Sequence, residues 1–457
     1  MKAAGAALLL LGATLGGCRA DVARAPTVTT IQRCDYRLEL AASGLVQVDA
    51  QCQADGELSF RAERGRARDV IGPAAGMNGH FRASSGRLRY TLDLAGIARR
   101  RDDIDFAAQV GASFVAPLSS VLLVPEPLTT EIPVTLQVTA AAGVQVAVGL
   151  ARGEAPDTYR LMAHELPVAT YFAFGKLEQR TLDVAGSKLE LSRLDGALDQ
   201  SLSDLVSWVE ASATAVSDFY GTFPVPRVSV TLIPVPRRDA VVFGKLLPES
   251  EPGIALLLGQ HASRKTLYSD WILVHELFHL GFPSFYGEGK WLDEGLATYY
   301  EPIIRVRAGL YTEVELWDEL EQSLPQGMSA FTSLGLEQAR DFRGVYWGGA
   351  LACLAADVQA RQRQLDVGLE VGLRALRDAG ATASEVWSLA DAIATVDGAL
   401  GQPTLGPIAA QHGERGSPFD LAKFLGELGV TRGADGRIAL SDAAPLAAVR
   451  RAITSKP

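Results

Sequence analysis

The sequence predicts a multidomain α+β chain, with a β-sandwich-like N-terminal part, a mixed middle part and a helical C-terminal part. Three observations predict it. Seven segments before residue 195 alternate apolar and polar residues at period two. Helical spacing sets in at Leu198 and is interrupted by two apolar, strand-like runs. From about Thr312 helical spacing dominates to the end. With 457 residues the chain is long enough for two or three packed cores. Apolar residues make up 48% and charged ones 21%, as in globular proteins. The net charge of -10 carries no long runs, which argues against nucleic acid or an anionic membrane surface as the main partner.

The first residues, MKAAGAALLLLGATLGGCRA, read as an export signal: a lysine, a short apolar run, then small residues. The run is too short to span a bilayer comfortably. Leu15-Gly16-Gly17-Cys18 resembles the bacterial lipobox, which implies a signal over residues 1–18 and a lipid on Cys18. Arg19 follows where enterobacterial sorting would use aspartate for inner-membrane retention. The expectation is an exported outer-membrane lipoprotein, facing the periplasm or the cell surface, that meets the bilayer through its lipid alone. Residues 19–27 read as a tether and 28–194 as the β domain. Cys34 and Cys52 sit in neighbouring strand-like segments and can pair as a disulfide in an oxidising compartment. Cys353, in an apolar helical run, reads as an inert core thiol.

The middle part, 195–311, opens with helical spacing from Leu198 to Phe219, stopped by YGTFP. RVSVTLIPV reads as a buried strand. GIALLLG, Gly253 to Gly259, reads as a second strand, able to act as a sheet edge that pairs with an extended peptide. Ser269 or Asp270 can cap a helix beginning at Trp271, which Gly281 and Pro283 end. Another helix runs from near Lys290 to near Gly309. In the C-terminal part, 312–457, LAKFLGELGV and PLAAVRRAI are amphipathic helices.

The chemistry is concentrated in VHELFHLGFPSFYGEGKWLDEGLATYYEP, Val274 to Pro302. Residues four apart on a helix share a face, so His275 and His279 can bind one ion. Glu276 is turned by about one hundred degrees, beside such an ion but outside its ligands, where a general base for water belongs. A catalytic zinc needs a third protein ligand and one open position. Glu294, early in the next helix, is the choice for that ligand. Asp293 and Glu288 compete for the role. Thr298, four residues on, can hydrogen-bond to Glu294.

HELFH followed by WLDEGLATYY resembles the gluzincin metallopeptidases, nearest to the glycyl aminopeptidase-like family and more distantly to the aminopeptidase N group. The resemblance implies a thermolysin-like zincin fold for the middle part and one Zn2+ per chain on His275, His279 and Glu294. It also implies hydrolysis of peptide bonds in peptide or protein substrates, with Glu276 as general base. VYWGGALACLAADVQARQ resembles the helix after the site in those families, so Tyr346 inherits the role of stabilising the oxyanion. Asp357 and Arg361 match that helix too and read as a structural pair. The sequence departs from the aminopeptidase N pattern twice. Fourteen residues separate His279 from Glu294, fewer by about one helical turn. The Gly-x-Met-Glu-Asn segment that grips a substrate amine is missing, because the only asparagine is Asn78. Glu249 and Glu251 stand nearby as alternative groups to bind an amine, and read first as solvated loop charges. The peptidase chemistry is thus implied, and an exopeptidase activity is not. The rival reading is a peptidase-like scaffold lipoprotein that binds without cleaving. His164-Glu165 lacks a second histidine. His80, His261 and His412 are isolated, with His261 placed to line a cleft.

Overall fold

The computed structural model describes residues 30–456, except 63–65, 74–78, 102, 130, 169 and 249–250. The export signal, Cys18, the tether and Glu249 lie outside the described residues.

The N-terminal part folds around strands Ile31–Leu40 and Leu45–Ala54, an antiparallel hairpin with alternating burial. They are central in a seven-stranded sheet. Tyr36, Leu38, Val46 and Leu136 of this sheet pack against Phe114, Phe172 and Phe174 of a four-stranded sheet. Phe60 and Phe81 of a three-stranded sheet join the same core. Sheet packed on sheet is the sandwich arrangement. Cys34 lies directly opposite Cys52 in the hairpin, and the two are joined by a disulfide.

A second, five-stranded sheet organises the rest. Its order is Leu177–Val184, Ser187–Leu194, Arg227–Val235, Gly253–Gly259, Val241–Leu247. The expected boundary at 194 therefore cuts this sheet, because Ser187–Leu194 pairs in parallel with Arg227–Val235. Parallel neighbours need a crossover, and helix Leu202–Tyr220 supplies it. Ser201 caps that helix by accepting from the Asp204 N–H, and Gly221 ends it at φ 82°. The second sheet also corrects the expected edge. Gly253–Gly259 is interior, paired in parallel with Arg227–Val235 and antiparallel with Val241–Leu247. Val241–Leu247 is the edge on that side, and Leu177–Val184 is the other.

Helix Ile272–His279 packs on this sheet. Gly281 follows it beneath Tyr220: a Cβ there would lie 2.4 Å from the ring, whose hydroxyl donates to the Phe278 carbonyl at 3.0 Å. Helix Lys290–Arg307 comes next, and helix Gly349–Arg363 crosses it in main-chain contact. A Cβ on Gly295 would lie 2.4 Å from the Gly349 carbonyl carbon. One on Gly349 would lie 1.9 Å from the Trp291 carbonyl oxygen. One hydrophobic core runs from Val184 through Ile453, so the position expected to part the middle from the helical C-terminal part divides no core. Two short strand pairs interrupt the helices there: Ser284–Phe285 with Val386–Trp387, and Val430–Arg432 with Ile438–Leu440. Among the described residues no helix is long and apolar enough to cross a membrane.

Candidate metal centre

The helix bearing the two histidines, Ile272–His279, has Trp271 at its cap position with no side-chain cap bond. One residue further out, Asp270 Oδ1 accepts the Ile272 N–H at 2.8 Å, so Asp270 rather than Ser269 serves the helix start. Arg305, from helix Lys290–Arg307, donates to the Ser269 carbonyl at 3.0 Å and holds Glu301 bidentately at 2.7 and 3.2 Å. This buried link fixes the start of one helix to the end of the next.

One turn further on, His275 and His279 bring their Nε2 atoms to 3.2 Å of each other. Glu294 Oε2 lies 3.2 Å from His275 Nε2 and 3.5 Å from His279 Nε2. Among the described residues these three form the group able to hold a metal ion, with donor atoms all within 4.8 Å of one another. A tetrahedral zinc with ligands at about 2.0–2.2 Å would space them roughly 3.3–3.6 Å apart. The observed spacings match that edge length. Two ring nitrogens cannot both offer lone pairs at 3.2 Å without a cation or proton between them. The donor set therefore fits zinc in type and spacing.

The surroundings favour positive charge at that point. Burial works against a charged ring at His279, but the Asp293 and Glu294 carboxylates outweigh it and hold its pKa well above the usual imidazole value. Burial likewise pushes the Glu294 carboxyl up, and bonds to His275 and His279, with the charge of Lys290, pull it far below the ordinary range. Asp293 Oδ1 lies 2.9 Å from His279 Nδ1, so it orients the ring and does not compete for the ion. Lys290 holds the other Glu294 oxygen at 2.6 Å. Glu276 stands beside the trio. Its Oε2 accepts the Leu246 N–H at 2.7 Å, and burial raises its pKa. The Tyr346 ring lies parallel to His275, 5.8 Å away, on a π-helical turn over Arg343–Gly348. Burial, and after it the nearby Glu294 carboxylate, raises the pKa of its hydroxyl. These groups line one cavity of about 480 Å³, together with Gly244 and Lys245 of the edge strand.

Other sequence candidates fall elsewhere. Glu288 is exposed on the loop before the Glu294 helix. Thr298 is buried, but its Oγ1 has no hydrogen-bond partner, so the expected bond to Glu294 is not made. Both Glu294 oxygens are already engaged by Lys290 and the histidines. His261 pairs with Asp199 at 2.9 Å and does not line the cavity. Glu251 is buried beside Arg227 rather than solvated. His412 stacks on Phe331, and His80 pairs with Glu126. Asp357 and Arg361 do pair, at 3.1 Å, within a buried network with Tyr299 and Glu370. Three contacts escaped the sequence reading: Asp293 on His279, Lys290 on Glu294, and the Leu246 N–H on Glu276. Only Lys290 left a signal, at four residues before Glu294 on the same helix face.

No family model matches the chain, and no curated protein matches it. Solved structures do. An aminopeptidase N family protein from Idiomarina loihiensis superposes with a TM-score of 0.65 at 16% identity, over 87% of this chain and 78% of that one. An M1 zinc metallopeptidase from Deinococcus radiodurans gives 0.53 at 15%, over 86% and 95%. A variant of the Deinococcus enzyme bound to a Tyr-Ser-Ala substrate gives 0.53 at 14%, over 86% and 96%. At such identities the likeness is one of architecture: the chain has a mixed α+β fold of the kind seen in M1 zinc metallopeptidases.

Proposed function

We propose that the chain is a zinc-dependent metallopeptidase that hydrolyses peptide bonds in peptide or protein substrates. The observation that carries this reading is the meeting of His275, His279 and Glu294 at tetrahedral spacing, with Glu276 beside them. One Zn2+ held by these three residues would supply Lewis acidity, polarising the scissile carbonyl and letting water ionise near neutral pH. Glu276 takes the proton of the attacking water and returns it to the leaving amine. The Leu246 N–H fixes one of its oxygens and leaves the other for the proton. Tyr346 directs its hydroxyl at the negative charge that develops on the carbonyl oxygen. An extended peptide can lie along the edge strand Val241–Leu247. The Leu246 N–H points away from the neighbouring strand, so Gly244, two residues before it, presents its backbone on the same free edge. The Deinococcus structure with its Tyr-Ser-Ala substrate supports a peptide as the ligand class.

The lipobox and its flanks support export, with anchoring through lipidated Cys18 in the outer membrane; mass measurement of the N-terminal peptide of membrane-extracted protein tests this.

The functional test is metal content by mass spectrometry together with turnover of a peptide mixture. About one zinc per chain, lost in His279→Ala, is expected. Glu276→Gln keeps the zinc and stops turnover. A Glu276→Gln variant that cleaves as fast as wild type refutes the mechanism.

A further inference from the structure

We propose that Glu337 is a positioning residue for the metal centre, clamping from the C-terminal part the start of the helix that bears Glu294. This rests on the metallopeptidase reading above. Helix Lys290–Arg307 begins on Gly289, at φ 76°, with no side-chain cap from its own turn. The Glu337 carboxylate takes that place. Gly289 N–H donates to its two oxygens at 3.2 and 3.0 Å, and Trp291 Nε1–H donates to Oε1 at 2.6 Å. A carboxylate at a helix start is favoured by the helix dipole, and a charge-assisted indole bond is among the stronger ones.

The clamp is itself held. Glu337 N–H donates to the Gly413 carbonyl at 2.9 Å, and Leu336 beside it is buried. Trp291 is buried as well. Between His279 and this helix start, the connecting loop contains only the two-residue strand Ser284–Phe285, and the Glu337 bonds fall at its far end, where the Glu294 helix begins. Lys290, Asp293 and Glu294 all lie in the first turn and a half after Gly289. A shift of that turn moves the Glu294 oxygen off both histidines and the Asp293 oxygen off His279 together. Losing a partner that orients metal ligands typically costs about 10–100-fold in metal affinity.

The test is zinc affinity of the purified full chain, by competition with a chromophoric chelator. The indole Nε1–H resonance of Trp291, assigned with Trp291→Phe, is followed alongside. Glu337→Ala is expected to bind zinc at least tenfold more weakly, with an unchanged circular dichroism spectrum. Glu337→Gln, which keeps a carbonyl acceptor, loses less, and its indole resonance moves. If wild type binds zinc and Glu337→Ala binds it as tightly, the clamp is wrong and the metal site stands. If wild type binds no zinc, the metal reading falls and the clamp with it. Should Glu337→Ala fail to fold, Glu337→Gln decides: a displaced indole resonance with unchanged affinity overturns the proposal.

Discussion

Asp293 Oδ1 sits 2.9 Å from Nδ1 of His279, while Nε2 of the same ring faces Glu294 and His275. One neighbouring residue thus sets both the tautomer and the tilt of a ring whose other nitrogen is the donor. Asp293→Asn keeps the shape and removes the charge. It is expected to weaken zinc binding by about 10–100-fold, with little change in thermal stability. Chelator competition reads the affinity; equal affinity in the variant would show that the ring needs no such partner.

Gly244 lies against the same machinery. A Cβ there would stand 2.3 Å from Ile272 Cγ2 and 3.0 Å from Glu276 Cγ. Gly244→Ala should displace Glu276, the proposed general base, or push the edge strand off the helix. The expected outcome is a fall of at least tenfold in kcat/KM and an overpacking cost of about 1–3 kcal/mol. Peptide kinetics and a melting curve measure the two separately. Unchanged kinetics would mean that the strand yields without moving Glu276.

The Cys34–Cys52 disulfide closes a loop of 18 residues in sequence. Closing a loop of that length stabilises by about 3 kcal/mol through the unfolded chain. Cys34→Ser with Cys52→Ser should lower Tm by several degrees and leave zinc affinity unchanged, because the bond lies in the N-terminal sheet. A loss of zinc in the double variant would show that the two parts fold as one unit.

Glu251 is buried beside Arg227, and burial raises its pKa from 4.5 to about 7 against the pull of that arginine. The folded protein therefore keeps this proton where the unfolded chain would release it. The contribution is fully present below pH 4.5 and is lost as pH rises through about 7. Glu251→Gln cannot ionise. Its Tm relative to wild type is expected to rise between pH 5 and pH 8, by the equivalent of about 1–2 kcal/mol after solvent screening. A difference that stays flat across that range would place the carboxyl in contact with water.

The two histidines and Glu276 were legible because one helical turn carries them, and local geometry alone sets their directions. Glu294 was legible by residue type and position, and the structure brings it to the pair across a loop shorter than the resemblance suggested. What joins them was not legible. Asp293 looked like a rival ligand because sequence shows only a second carboxylate, whereas its role depends on which ring nitrogen it meets. The sheet edge was misplaced although its signal was present. GIALLLG is apolar throughout, as a strand buried on both faces must be, while VVFGKLL mixes exposed Val242 and Phe243 with half-buried Lys245 and glycine. The boundary at 194 failed for a different reason. Leu177–Val184 and Ser187–Leu194 form a hairpin like those before them, and only the later parallel partner shows which sheet they serve.

Glycine meets glycine where the Glu294 helix crosses the helix that follows Tyr346. With no side chains between them, the two rods have no soft layer on which to slide. Glu294 and Tyr346 are therefore carried by a single stiff block. Any opening and closing of the cleft around a peptide is then expected from the opposite wall, formed by the edge strand Val241–Leu247. Protection of that strand's amides against hydrogen exchange should respond to substrate, while the crossed helices stay silent.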